Sequence, residues 1–139
     1  MEQGYFTFRS GLVAAERLLA RRSPPTAIFA SNDDMAAAAV SVMHRRGLSV
    51  PGDVSVVGFD DTPIATTIWP ELTTVKQPIA AMAEAALDLM LASIRARRSG
   101  AQAPGADQVL GHELVLRESS AAPHIDAGIT LRAAAGAAR

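Results

Sequence analysis

The sequence predicts an α/β fold in which helices flank a parallel sheet. Three observations predict it. Residues 26–30 (TAIFA) and 54–59 (VSVVGF) are apolar runs too short for helices and suited to buried strands. Residues 34–46 (DMAAAAVSVMHRR) lie between them, have helical composition and stop at Gly47. Strand, helix and strand in that order form a βαβ unit, with parallel strands and a right-handed crossover.

The remaining elements follow in order. Residues 10–22 (SGLVAAERLLARR) read as a helix with Ser10 as N-cap and Leu12, Ala15, Leu18 and Leu19 at helical spacing. Arg21 and Arg22 fall in its last turn, and Ser23-Pro24-Pro25 ends it. Residues 31–34 (SNDD) are cap residues at a strand-to-helix junction. His44, Arg45 and Arg46 crowd the end of the helix that follows. Residues 48–53 (LSVPGD) connect to the second strand, and 60–77 (DDTPIATTIWPELTTVKQ) read as irregular. Pro78 sits at a helix N1 position. From there Ile79, Met82, Ala83, Ala86, Leu87, Met90 and Ile94 keep a 3.6-residue period through a helix over 79–98, with Gly100 past its end. Residues 99–108 are a loop, 113–118 (ELVLRE) a last strand, and 121–139 an Ala-rich tail expected to be disordered. No internal repeat is visible.

Bulk properties exclude several classes. The 139 residues suffice for a domain with a core, and 49% hydrophobic with 19% charged residues fits a globular chain. A net charge of -1 leaves no basic footprint for nucleic acid. With no cysteine there is no disulfide or thiolate metal site, which is compatible with the cytoplasm. Met1-Glu2-Gln3-Gly4-Tyr5 has neither the basic start nor the apolar stretch of a signal peptide. The longest helical candidate carries Glu84 and Asp88, so no membrane span is expected.

The βαβ reading places chemistry. Parallel strands put their carboxyl ends on one edge, where ligands of open α/β sheets bind. Ser31-Asn32-Asp33 leaves the first strand and Asp60-Asp61 the second, so an amide and a carboxylate should face one crevice. That pair suits a polyol or the edge of a base, since a carboxylate accepts adjacent hydroxyls and an amide both gives and takes. Asn32 or Asp33 could equally cap the helix, and Asp60 or Asp61 could shape a turn with Thr62-Pro63. No catalytic residue, metal site or cofactor is predicted. No His lies near Asp60 in sequence, and His44, His112 and His124 lack ligand spacing. A glycine-rich phosphate loop and a nucleophile elbow are both missing. Lys76 is the only lysine and lies in an irregular segment, unlike a receiver domain's.

At the level of whole motifs, PPTAIFASNDDMAAAAV, GLSVPGDVSVVGFDDTPIATTIWPELTTVKQP and ELVLRESS resemble the C-terminal part of LacI/GalR-type transcription repressors, over about Gly4 to Ser120. The resemblance implies an incomplete type I periplasmic-binding-protein-like fold, with 1–120 a partial effector-binding and dimerisation domain. It implies that the helix at 79–98 packs in the other lobe, leaving its apolar stripe exposed here or repacked. It implies a sugar-like or purine-like effector contacted by Phe6 (stacking), Asn32, Asp60 and Gln77, with Asp61 structural. It implies a homodimer surface that includes Ala37, Val40, Ser41, Ile68 and Trp69. Operator DNA would be bound only through a helix-turn-helix headpiece that this sequence lacks. The family's usual glycine in the helix after Asn-Asp is alanine here. A piece of a longer regulator, from truncation, a mis-assigned start at Met1 or excision, is the expectation. The alternatives are a solute-binding protein of a transport system, which shares the fold, and a small enzyme on an α/β scaffold, which no catalytic motif supports.

Overall fold

A reciprocal cap starts the first helix three residues earlier than Ser10 predicts. Helix α1 runs Phe8–Leu19, and its N-cap is Thr7. Thr7 Oγ1 accepts the Ser10 N–H at 3.2 Å, and Ser10 Oγ accepts the Thr7 N–H at 3.3 Å. Ser10 therefore occupies the third helical position of a capping box. The helix closes at Ala20, so Arg21 and Arg22 lie past its last turn. The Arg21 guanidinium donates instead to Glu2 at 2.6 Å and holds that carboxyl below the ordinary carboxylate range.

The computed structural model describes residues 1–101 and 107–123. After α1 come strand β1 (Ala27–Phe29), helix α2 (Asp33–Arg45), strand β2 (Ser55–Val57) and a short 3-10 turn (Pro63–Thr66). Strand β3 (Thr74–Lys76), helix α3 (Ile79–Ser99) and strand β4 (Glu113–Val115) complete the order. Much of the expected loop at 99–108 and nearly all of the expected tail at 121–139 lie outside the described residues.

Strands β1 and β2 pair in parallel, with Ala27, Ile28 and Phe29 opposite Ser55, Val56 and Val57. The βαβ unit is present as predicted. Its burial is not: Ile28 is buried while Ala27 and Phe29 are exposed, so β1 covers one face where an unbroken apolar run suggests two. Strand β3 was not expected in the 60–77 stretch. Gly58 N–H donates to Thr73 O and Asp60 N–H to Val75 O, each at 2.9 Å, which sets the 73–75 segment along the free edge of β2. Its threonines, valine and lysine alternate too briefly to announce a strand. The last strand is shorter than predicted. After Val115 the chain turns inward, and Val56 N–H donates to Ser119 O at 2.8 Å.

Helices α1 and α2 pack closely because Gly11 has no side chain. A Cβ there would stand 2.8 Å from Ala38 Cβ and from Met35 Cα. Leu19, Ile28, Val42, Met43, Val56 and Leu72 form the centre of the core. Each large apolar side chain so enclosed contributes about 1.5–3 kcal/mol.

The chain forms two compact units, one of Met1–Val75 with the chain from Leu114 onward, the other Lys76–Glu113. In the second, Pro78, the expected N1, is instead the N-cap of α3 and makes no side-chain cap bond, and the helix ends at Gly100 with φ 71°. None of its 21 residues is buried. Ile79, Met82, Leu87, Met90 and Ile94 are all exposed. Among the described residues, no helix is long and apolar enough to cross a membrane.

Candidate ligand-binding site

The carboxyl ends of β1 and β2 carry two predicted ligand residues, Asn32 and Asp60, and Phe6 of the same unit is bonded to the first. Asn32 follows β1 in extended conformation and caps α2, its Oδ1 accepting the Met35 N–H at 2.9 Å. Its Nδ2 donates to the Phe6 carbonyl at 3.2 Å. The amide is 9% exposed, so capping is its structural task and a small face is left toward solvent. Phe6 has φ 55°, rare for a bulky side chain, and its ring is 66% exposed. Asp60 leaves β2 with φ 109°, and Asp61 follows with φ 57°. Among the described residues, these three are the non-glycine residues with positive φ. Each such conformation costs on the order of 1–3 kcal/mol and persists where surroundings enforce it.

Two anchors, one buried and one largely covered, surround the Asp60 turn, and sequence reasoning identified neither. Asp33 is fully buried. Its Oδ2 accepts the Thr62 N–H at 2.7 Å and the Thr62 hydroxyl at 3.1 Å. Its Oδ1 accepts the Thr74 hydroxyl at 2.6 Å. Arg117 donates to Asp61 Oδ1 at 2.7 Å and to Leu72 O at 2.9 Å, with both charged side chains largely covered. Asp61 is thus held in an ion pair. The signal for Asp33 was a second acid in a cap that needs one. For Arg117 there was none, since its partner lies 56 residues away.

The other predicted residues are placed differently. Gln77 lies in the second unit, where its carbonyl accepts the Ile79 N–H at 2.9 Å. Ala37 and Val40 are 2% exposed each, inside this chain's own interior, and have no surface to offer a second copy. Of the other residues expected on a pairing surface, Ser41 and Ile68 are half-buried and Trp69 is 72% exposed. A cavity of about 540 Å³ beside β1 is bordered by Leu18, Ile28, Met35 and Ala39 and also by Phe6, so it adjoins the rim. Its walls are mainly apolar, with Glu2, Gln3 and Arg21 among the polar side chains at its border. Among the described residues no cluster of three His, Asp or Glu side chains could hold a metal.

An exposed aromatic face, an amide and a carboxylate on one rim can stack on a ring and bind its hydroxyls or edge. Comparison with known proteins gives the family of the chain. Residues 2–120 match the periplasmic binding protein-like domain. The chain is 40% identical over 121 residues to the HTH-type transcriptional regulator MalR of Streptomyces coelicolor, covering 87% of this chain and 33% of that protein. A transcriptional regulator CelR–cellobiose complex is similar in structure, with a TM-score of 0.75, 36% identity, and 84% of this chain and 35% of that one covered. The lac repressor dimer bound to operator and the anti-inducer ONPF gives 0.74 and 34%, over 86% and 40%. The chain spans about a third of the length of such curated relatives.

Proposed function

Because this chain belongs to the periplasmic binding protein-like domain family, in the portion shared with LacI/GalR-type repressors, we propose that it senses a small molecule for a transcriptional regulator. The ligand is sugar-like or purine-like and meets Phe6, Asn32 and Asp60. The observation that carries this reading is the placement of backbone strain. Phe6, Asp60 and Asp61 depart from ordinary φ on the same rim, and partly buried bonds hold Phe6 and Asp61 there. Strain kept in place at one edge of a sheet marks a site that must be preformed.

In the longer regulator, ligand binding shifts the balance between two states of paired subunits and so alters operator contact through a headpiece outside this sequence. Pairing uses Trp69 with Ile68 and Ser41. The protein acts in the cytoplasm, where the operator is, and performs no catalysis. A solute-binding role on the same fold is less supported, because the relatives found are regulators.

The test is a titration of isotope-labelled chain with cellobiose, maltose, D-ribose and adenosine. Saturable shifts at the amides of Phe6, Asn32 and Asp60 are expected for at least one of them. Saturable shifts that spare both Asn32 and Asp60, or no saturable shift with any of the four, overturn the assignment of this rim.

A further inference from the structure

We infer that Asp33 is the positioning residue of the site: it touches no ligand, and it fixes where the Asp60 carboxylate stands. The inference rests on the reading of Asp60 as a ligand acceptor, and goes beyond it by naming what sets its geometry.

Asp33 cannot itself meet a ligand. It is fully buried, and its two oxygens already accept three donors, the Thr62 N–H, the Thr62 hydroxyl and the Thr74 hydroxyl. As the first residue of α2 it also sits where the helix dipole favours a negative charge. What distinguishes it from an ordinary cap is the reach of those bonds. The donors lie 29 and 41 residues away, the first of them the residue that directly follows the Asp60-Asp61 turn.

The same carboxylate meets both ends of the turn. At the far end it holds Thr62 through backbone and side chain. At the near end Gly58 lies against it so closely that a Cβ would fall on Asp33 Oδ1. Only Phe59, Asp60 and Asp61 lie between those two points. With both ends fixed, the intervening backbone takes φ 109° at Asp60 and 57° at Asp61. Arg117 secures Asp61 from the other side, and the Asp60 N–H bonds to Val75 O. Because Asn32 precedes Asp33 directly, one helix start also sets Phe6 through Asn32 and the Asp60 turn through Asp33. The aromatic and acidic halves of the rim are therefore placed by adjacent residues.

Asp33→Asn is the informative substitution. It keeps the size of the side chain but puts an amide donor where donors already point, or leaves one oxygen to serve three donors. Without ligand, the labelled chain is compared by NMR with Asp33→Asn and with Thr62→Val, the milder change that removes only the hydroxyl bond. Two signals report the turn: hydrogen exchange of the position-62 amide, and the strong intraresidue amide-to-α-proton contact that positive φ gives Asp61. In Asp33→Asn the position-62 amide should exchange at least about tenfold faster and the Asp61 signal should weaken, while the amides of Val42 and Met43 stay protected. Thr62→Val should speed exchange at position 62 by roughly threefold with the same helix protection. If Asp33→Asn unfolds the chain, Thr62→Val alone decides. Unchanged exchange at position 62 together with an unchanged Asp61 signal, in every variant that folds, overturns the positioning role. Asp60→Asn in the four-ligand titration separately tests the ligand reading, so that reading can fail while the NMR result stands.

Discussion

Asn32 donates its side-chain N–H to the carbonyl of Phe6 at 3.2 Å, and with its other atom it caps α2. One amide thus joins helix stability to ring placement, and substitutions can separate the two. Asn32→Ala removes both bonds and should lower stability by about 1 kcal/mol, the usual value of a cap. Asn32→Asp retains an acceptor for the Met35 N–H and adds charge at a helix N-terminus, but it cannot donate to Phe6. Its unfolding midpoint in urea should stay close to that of the parent chain, while the Phe6 ring resonances shift. Equal loss of stability in both variants would show that the Phe6 bond, not the cap, dominates.

The strain at Phe6 predicts a trade between stability and binding. The ring is mostly exposed, so little packing is lost on removing it. Glycine adopts positive φ without a steric penalty. Phe6→Gly should therefore stabilise the chain by up to about 1 kcal/mol in urea unfolding, after allowing for the extra freedom of glycine in the unfolded state. The same variant should lose the ring-stacking shifts in the ligand titration. A destabilised Phe6→Gly would mean that the ring supports the fold.

Arg117 supplies a larger energy. Its guanidinium pairs with Asp61 and bonds the Leu72 carbonyl, and both charged side chains are largely covered. Arg117→Met leaves a covered carboxylate without its cation, which costs about 3 kcal/mol. Adding Asp61→Asn removes the stranded charge, so the double variant should be more stable than the sum of the single losses implies. Additive losses in thermal or urea unfolding would show that the pair is not coupled.

The fold was legible where a local rule sufficed. The βαβ order, the stop at Gly47 and the long apolar period after Pro78 each depend on neighbours within a few residues. Asn32 and Asp60 could be put on one edge by strand direction alone. Legibility ended where partners are far apart. Ser10 looks like a cap until Thr7 is seen to exchange bonds with it. Asp33 looks like spare cap chemistry, because nothing local shows that Thr74, 41 residues on, needs its oxygen. Ala37 and Val40 were assigned to a pairing surface by resemblance, and their burial depends on tertiary packing that no local rule shows. Trp69 shows the reverse case, an aromatic residue that composition favours burying and the fold leaves exposed.

The unburied face of α3 predicts association. Leu87 and Met90 are 50% and 56% exposed on a helix with no buried residue. Contiguous exposed apolar side chains favour self-association in water. Sedimentation velocity of the chain should show a weight-average size that rises with concentration. Leu87→Glu with Met90→Glu should reduce that rise and leave the unfolding of the first unit unchanged. No change in the concentration dependence would place the associating surface elsewhere, with Trp69 the next candidate to substitute.

Asp60 gives the most direct test of function. A carboxylate accepting ligand hydroxyls contributes the strength of a charge-assisted hydrogen bond, about 1.5–3 kcal/mol. Asp60→Ala should therefore weaken binding of a responsive ligand roughly 10- to 150-fold in calorimetry. The backbone effect must be separated from the chemical one, because Asp60 has φ 109° and alanine is also strained there. Asp60→Asn keeps the shape and much of the turn preference, and Asp60→Gly relieves the backbone but removes the acceptor. If the carboxylate reads the ligand, both weaken binding, and Asp60→Gly does so despite a more relaxed turn. If only the turn matters, Asp60→Asn binds as the parent chain does. Trp69→Ala, distant from the acceptor chemistry, should reduce pairing in sedimentation without moving the calorimetric affinity.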